Sequence, residues 1–578
     1  MLTLLHDERN RRHLVLAVAL LCAAVLVGAN AVRVDKGVRT LQEARMFDGD
    51  DAHTIRGSWI QWTQNTIDHE KSIHTGFFYN TTTLLGAALT PFLGDREYTM
   101  GTAARTNALI QGALTIVLAT VALGAVSGWS LWTVLVPLFL VGNMHVNYLS
   151  AVARVDISMF LWLALVPWAY TRLWLAPGKP TYKWAVITTT FAFASKPAIL
   201  PLFLFFIGLN AVQVLRDGQP FLRELRWRFV KGLKYFLVTM LVATPVTVFS
   251  FGLFVASLRS ELRKTSAKFD FRPFTDWFDT LLSGHYFGAP LLVVGALVLA
   301  AFLVVRWWTR RGARAQTFGR RLQAASRDPL LAFLWINLLW TLCIWGFVIL
   351  RSRSFIDRYL NPGLLPAVFT VVAAAIWLSR QHWSFGQHRR GRLPLGHAAG
   401  ATVLLVLLWA APANVDRVQW LRQQALAKQE AMIPLREFLA EFEALVPFDK
   451  SVLFSTHAYV EMERYPVSHL FWDLHPRHFD IEPEYLLLAG HPLRDRQTFL
   501  RLTDMSKPSH LRRKTTAIIF REIEQSRLFG TLELVKHWPT QDVSLFRFTR
   551  PTDQAYVDWL FGWVAEQLDV PQQRLRDF

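Results

Sequence analysis

"WAVITTTFAFASKPAILPLFLFFIGLNAVQVL", residues 184–215, is 32 residues long and carries one charge, Lys196. A helix that crosses a bilayer needs about 20 apolar residues. The stretch is therefore long for one crossing and short for two. The Lys/Arg-rich loops decide between them. Arg9, Arg11 and Arg12 precede the first apolar run, and further basic clusters fill loops 216–234, 306–327 and 380–392. Basic loops mark the cytoplasmic side, and all of these share one face only if 184–215 crosses twice. The crossing is then a pair of short helices broken at "SKPA" (195–198). Irregular backbone at membrane depth must be buried in protein or line a cavity.

The remainder of the chain fits that frame. Of its 578 residues, 52% are hydrophobic and 23 are Trp, the composition of an α-helical polytopic membrane protein. About eleven segments are expected, near 14–33, 103–127, 130–149, 156–175, 184–195, 197–215, 235–257, 288–308, 330–350, 359–379 and 396–413. The first reads as a retained anchor rather than a cleaved signal, with the N-terminus cytoplasmic. The net charge of +19 lies between apolar runs, as topology signals do, and no nucleic-acid motif accompanies it. Cys22 and Cys343 are the only cysteines and lie in apolar runs, which excludes a disulfide framework and a cysteine metal site.

Residues 1–414 form the membrane module and 415–578 a soluble domain on the outer face. That tail opens on a long helical stretch. Strand-like runs follow at 451–456, 485–490, 515–520 and 544–549, with helical segments between them, which predicts a small α/β domain.

The first outer loop, 34–102, holds the strongest chemical signal. "MFDGDDAHTIR" (46–56) gathers Asp48, Asp50 and Asp51. Ile55, Trp59 and Trp62 follow at helical spacing, so the carboxylates open a helix suited to the membrane surface. "TGFFYNTTTLLGAALTPFLG" (75–94) is a second such stretch. One Asp serves as a helix N-cap. Three exceed that need and repel one another unless a cation, metal or substrate sits among them. Other ionisable groups cluster near membrane depth on the same side: Arg105, Arg154 and Asp156, Lys196, and Arg351, Arg353, Asp357 and Arg358. Charges there are costly and tend to mark function. Cations facing carboxylates suit an anionic, lipid-anchored head group: the cations hold phosphate and a carboxylate takes a proton from a nucleophile.

With these motifs the chain resembles the GT-C superfamily of polyprenyl-phosphate-dependent glycosyltransferases, close in look to protein O-mannosyltransferases and the aminoarabinose transferase. "GDDAHTIR" stands at the family's acidic pair, with Asp50–Asp51 in place of Asp–Glu. "ARTNALIQGAL", "ARVDIS", "SKPAIL" and "DRYLNP" follow in the family's order over residues 10–415, while the family's Pro-Pro-Leu stretch is degraded to "HTGFFYNTTTLL".

The resemblance implies an inverting sugar transfer from a polyprenyl-phosphate donor to an extracytoplasmic lipid, glycan or protein acceptor; the short loops, without organelle signals, point to a bacterial inner membrane. The resemblance makes Asp50 the first choice of general base and Asp51 the second, with Asp156 orienting the acceptor or sharing the role. Lys196, Arg358 and Arg154 would hold the donor phosphate, backed by Arg351 and Arg353; His74, Tyr79 and Tyr359 would line the pocket. No cofactor is required; a divalent metal on Asp48, Asp50, Asp51 and Asp156 is the less favoured variant. The competing reading is a transporter or flippase of lipid-linked sugars, which needs no carboxylate base.

Overall fold

A computed structural model describes residues 7–34, 49–66, 76–94, 96–196, 199–256, 259, 274–284, 286–311, 328–351, 360–381, 395–455, 460, 465–470, 474–489, 500–501, 503, 508–524 and 531–576. It divides into two compact units, Met1–Ala425 and Leu426–Phe578.

The first unit is helical. Its chain runs through α1 (Glu8–Asn30), α2 (Gly49–Gln64), α3 (Phe77–Leu93), α4 (Arg96–Ser127), α5 (Leu135–Gly142), α6 (Met144–Leu149), α7 (Asp156–Leu163) and α8 (Val166–Leu175). It continues through α9 (Lys179–Ser195), α10 (Leu200–Arg216), α11 (Phe221–Ala243), α12 (Pro245–Phe249), α13 (Phe274–Leu282), α14 (Ala289–Arg311), α15 (Pro329–Arg351), α16 (Asn361–Ser379) and α17 (Leu395–Glu430).

Among the described residues, six helices are long and apolar enough to cross a membrane: Glu8–Arg33, Tyr98–Ser127, Ala289–Trp307, Pro329–Gly346, Asn361–Ser379 and His397–Leu445. They match the first, second and last four of the expected segments. The other five correspond to short or broken helices, and three of the breaks have a local cause. Asn143 separates α5 from α6 in extended backbone (φ −80°, ψ 119°), and its side chain accepts the Val146 N–H as an N-cap. Thr244 (φ −146°, ψ 60°) precedes Pro245, and Lys196 (φ −155°, ψ 118°) precedes Pro197. A residue before proline is driven out of the helical region by the ring. The expected break in the opening stretch is therefore present, with α9 and α10 at 17 residues each.

α16 is the central helix, buried along nearly its whole length. It packs on α15, α14 and α7; α7 in turn touches α4 and α9. The two expected loop helices are α2 and α3, and they meet closely. A Cβ added at Gly57 would stand 3.3 Å from the Tyr79 ring, so only glycine allows this approach without a shift. Ile55 is buried on this side, whereas Trp62 is exposed.

The second unit contains a five-stranded sheet in the order β2-β1-β3-β5-β4. The strands are β1 (Val452–Ser455), β2 (Val467–Leu470), β3 (Tyr485–Ala489), β4 (Leu532–Trp538) and β5 (Val543–Phe548). β1 pairs in parallel with β2 and β3, while β3–β5 and β4–β5 are antiparallel. The helices are α18 (Met432–Leu445), α19 (Pro508–Glu524), α20 (Gln554–Leu568) and α21 (Gln572–Arg576). Leu453, Leu486, Ile519, Phe520, Leu560 and Phe561 share its core.

One expectation is corrected here. Residues 515–520, "TTAIIF", read as a strand, but they form the buried middle of α19. A short continuous apolar run has no period of its own, so strand and buried helix look alike. The polar flanks supply the 17-residue helix. β2 and β4 were not expected.

Candidate active site

The break after α9 brings two of the singled-out residues together. Extended backbone at Lys196 turns its side chain away from the course of α9. Its ammonium then lies 2.5 Å from Asp156 Oδ1, at the first turn of α7. The two side chains are 9% and 6% exposed. Each charge alone would be expensive at such burial, so the two exist only as a unit.

Asn361 completes the site. It opens α16, and its Nδ2 donates to the same Asp156 Oδ1 at 2.9 Å. Its own Oδ1 accepts the Tyr286 hydroxyl at 2.9 Å. Tyr286 stacks on His145, with centroids 4.9 Å apart, and its backbone carbonyl accepts from Asn143 Nδ2. Arg154, two residues before Asp156, sets its guanidinium 5.4 Å from the Tyr148 ring centre. Neither Asn361 nor Tyr286 was singled out in the sequence. The available signal was an asparagine inside "DRYLNP"; Tyr286 had none.

A polar ladder joins the second loop helix to α7. Asn107 Nδ2, on α4, donates to Thr81 Oγ1 at 2.8 Å and Thr82 Oγ1 at 3.0 Å on α3. Gln111 Nε2 donates to Asn107 Oδ1 at 2.8 Å, and Ser158, two residues after Asp156, donates to Gln111 Oε1. At its start α3 is fastened to the break at Thr244 as well: the Gly76 N–H donates to Thr247 Oγ1 at 3.2 Å, and Asn80 Nδ2 to the Ala243 carbonyl at 2.7 Å. An apolar edge completes this region, with Trp162 stacked on Phe191 at 4.1 Å and Phe77 edge-on to both.

The other expected residues are distributed as follows. Asp50 and Asp51 stand in the first turn of α2, as the helix-start reading required, with their side chains outside the described residues, as is Asp48. Tyr79 is buried between α3 and α2. Arg351 ends α15, its side chain undescribed, and His74, Arg353, Asp357, Arg358 and Tyr359 lie outside the described residues. Arg105 is fully buried on α4. Among the described residues no three His, Cys, Asp or Glu side chains gather as a metal site would need.

The arrangement offers a carboxylate that can accept a proton or a hydroxyl hydrogen bond, next to an ammonium that can meet an anion. The carboxylate stands in the first turn of α7 and the ammonium at the break after α9.

No family model matches the sequence, and no curated protein matches it. Solved structures do. The crystal structure of ArnT from Cupriavidus metallidurans bound to undecaprenyl phosphate aligns with a TM-score of 0.50 at 12% identity, covering 93% of this chain and 98% of that one. The apo form of the same protein gives 0.48 at 13% identity over the same shares. The Archaeoglobus fulgidus oligosaccharyltransferase in complex with zinc and sulfate gives 0.44 at 12%, covering 84% of this chain and 69% of that one. At such identity the likeness is one of fold.

Proposed function

We propose that this chain, an integral membrane protein with the fold of ArnT, is a glycosyltransferase of the inner membrane, moving a sugar from a polyprenyl-phosphate donor to an acceptor on the extracytoplasmic side. The observation that carries this reading is the buried Asp156–Lys196 pair, 2.5 Å apart at a helix break, in a chain whose fold matches a protein seen with undecaprenyl phosphate.

In this reading a hydroxyl or amine of the acceptor attacks the anomeric carbon from the face opposite the phosphate. The carbon–oxygen bond to phosphate breaks, prenyl phosphate leaves with the electron pair, and the acceptor's proton passes to Asp50, with Asp51 as its alternate. The anomeric centre inverts. Lys196 and Arg154, with Arg358, Arg351 and Arg353, meet the charge that grows on the leaving phosphate, where fixed cations do most for the transition state. Asp156 orients the acceptor. His74, Tyr79 and Tyr359 border the sugar. No metal step is needed, because phosphate is already a good leaving group. The topology that goes with this reading has eleven segments, six of them long apolar helices, with the N-terminus cytoplasmic and the second unit outside.

The test uses wild type and Asp50→Asn in lipid nanodiscs, offered a panel of polyprenyl-phosphate sugars with a crude membrane extract as acceptor. Release of prenyl phosphate by wild type, lost in the variant while lipid binding persists, supports the reading. Equal lipid binding with no turnover by either protein rejects it in favour of a lipid transporter.

A further inference from the structure

Two hydrogen-bond donors end on one oxygen of Asp156: Lys196 Nζ at 2.5 Å and Asn361 Nδ2 at 2.9 Å. Among the described residues no hydrogen bond ends on Oδ2. The Asn361 carboxamide can present either oxygen or nitrogen to a neighbour. Facing a carboxylate, which only accepts, it must present the nitrogen. Its oxygen then points back at Tyr286, whose hydroxyl has to donate, and does so at 2.9 Å. The chain of donors therefore has one direction, from Tyr286 through Asn361 to Asp156.

Tyr286 is itself held from two sides. It is 2% exposed, stacks on His145 with 23° between the ring planes, and has its carbonyl tied to Asn143, the cap of α6. Asn361 is fully buried. The relay thus gathers the segment before α14, the start of α16, the α5–α6 break and the first turn of α7 on a single carboxylate.

We infer that Tyr286 and Asn361 are positioning residues that act through Asp156, keeping Oδ1 on Lys196 and leaving Oδ2 to the substrate. The part that concerns substrate rests on the transferase reading; the part that concerns the ion pair does not. Tyr286→Phe keeps the ring and its stack but removes the donor, so the amide loses the partner that sets its direction. Asn361→Ala removes the relay altogether. In this relay the Tyr286 hydroxyl acts through Asn361, so the double variant behaves as Asn361→Ala alone, the signature of a shared path in a double-mutant cycle.

The experiment uses the full chain in nanodiscs and two readouts. The first is the rate at which an amine-reactive reagent labels Lys196, followed by mass spectrometry. Each single variant is expected to raise it about fivefold, the factor for loss of one hydrogen bond, and the double variant to match Asn361→Ala. Unchanged labelling in either single variant, or effects that multiply in the double, overturns the relay. The second readout is kcat and donor KM for prenyl-phosphate release. A fall in kcat larger than any change in donor KM is expected. Unchanged kcat in enzyme that turns over overturns the positioning role. Wild type that turns over no donor, with the labelling pattern intact, rejects the transferase reading and leaves the relay standing.

Discussion

Lys196 and Asn361 donate to the same oxygen of Asp156, at 2.5 and 2.9 Å, although one residue follows the end of α9 and the other opens α16. The carboxylate is the point where three helices agree on their positions. Its charge is tolerable only because both partners are present.

Removing one partner should therefore cost more than removing both. Asp156→Ala or Lys196→Ala alone leaves an uncompensated buried charge and should destabilise by about 3–5 kcal/mol. The double substitution Asp156→Leu with Lys196→Met should recover most of that loss, with turnover still absent. Thermal melting in nanodiscs reads the stability, and prenyl-phosphate release reads the turnover. A double variant no more stable than the singles would contradict the pairing.

The ladder from α3 to α7 predicts a local effect. Asn107→Ala removes the donor to Thr82 and the nearer donor to Thr81, and leaves Gln111 Nε2 only its longer bond to Thr81 at 3.4 Å. The loss should be about 2 kcal/mol. Hydrogen exchange should show the drop in protection concentrated in residues 77–83, with α15 and α16 unaffected. A uniform drop would mean that the ladder holds no particular element.

Gly57 is a steric prediction. A Cβ there would lie 3.3 Å from the Tyr79 ring, and a larger side chain has to push α2 off α3. Gly57→Leu should cost about 1–3 kcal/mol by overpacking, while Gly57→Ala should cost less because the ring need give only a few tenths of an ångström. Melting temperatures in the order wild type, Ala, Leu would bear this out; a Leu variant as stable as wild type would not.

In the second unit, Glu441 on α18 accepts from Lys536 at 2.6 Å and from the Trp538 indole at 2.7 Å on β4. The Lys536 bond first, and the indole second, hold its carboxyl below the usual glutamate range. A lowered value in the fold means stability that is present above the unfolded pKa of about 4 and is lost as pH falls through the folded one. Glu441→Gln should melt earlier than wild type at pH 7, and the gap should close as the solution is acidified. Limited proteolysis of the second unit on heating follows the transition, and a gap that stays constant with pH would exclude the charge as its source.

Much of the frame was legible beforehand because it rests on local rules. Proline after Lys196 marked that break from the sequence alone, since the ring acts on its immediate neighbour; the same rule breaks the expected 235–257 segment at Thr244, which the sequence reading took as continuous. The helix that begins at the Asp50–Asp51 pair was legible from apolar spacing in the same way. The run at 515–520 was misread because two threonines and four apolar residues in a row carry no period, and the sheet's partners are set by pairing at a distance. Asn361 could be suspected from its place beside Pro362. Tyr286 could not, because nothing in its own neighbourhood says that its hydroxyl meets an amide 75 residues further on.

By itself, the sequence determined what depends on near neighbours and on water: an apolar, basic chain with a helical membrane unit, a break at Lys196, and carboxylates at the start of a helix. Only the tertiary structure decided that Lys196 spends its charge on Asp156, that Asn361 shares the same oxygen, and that α3 is laced to α7 through Asn107 and Gln111. Those choices follow from which helices pack together. A buried polar group takes the partner that packing brings within reach, and the cost of leaving it unpaired makes that partner obligatory.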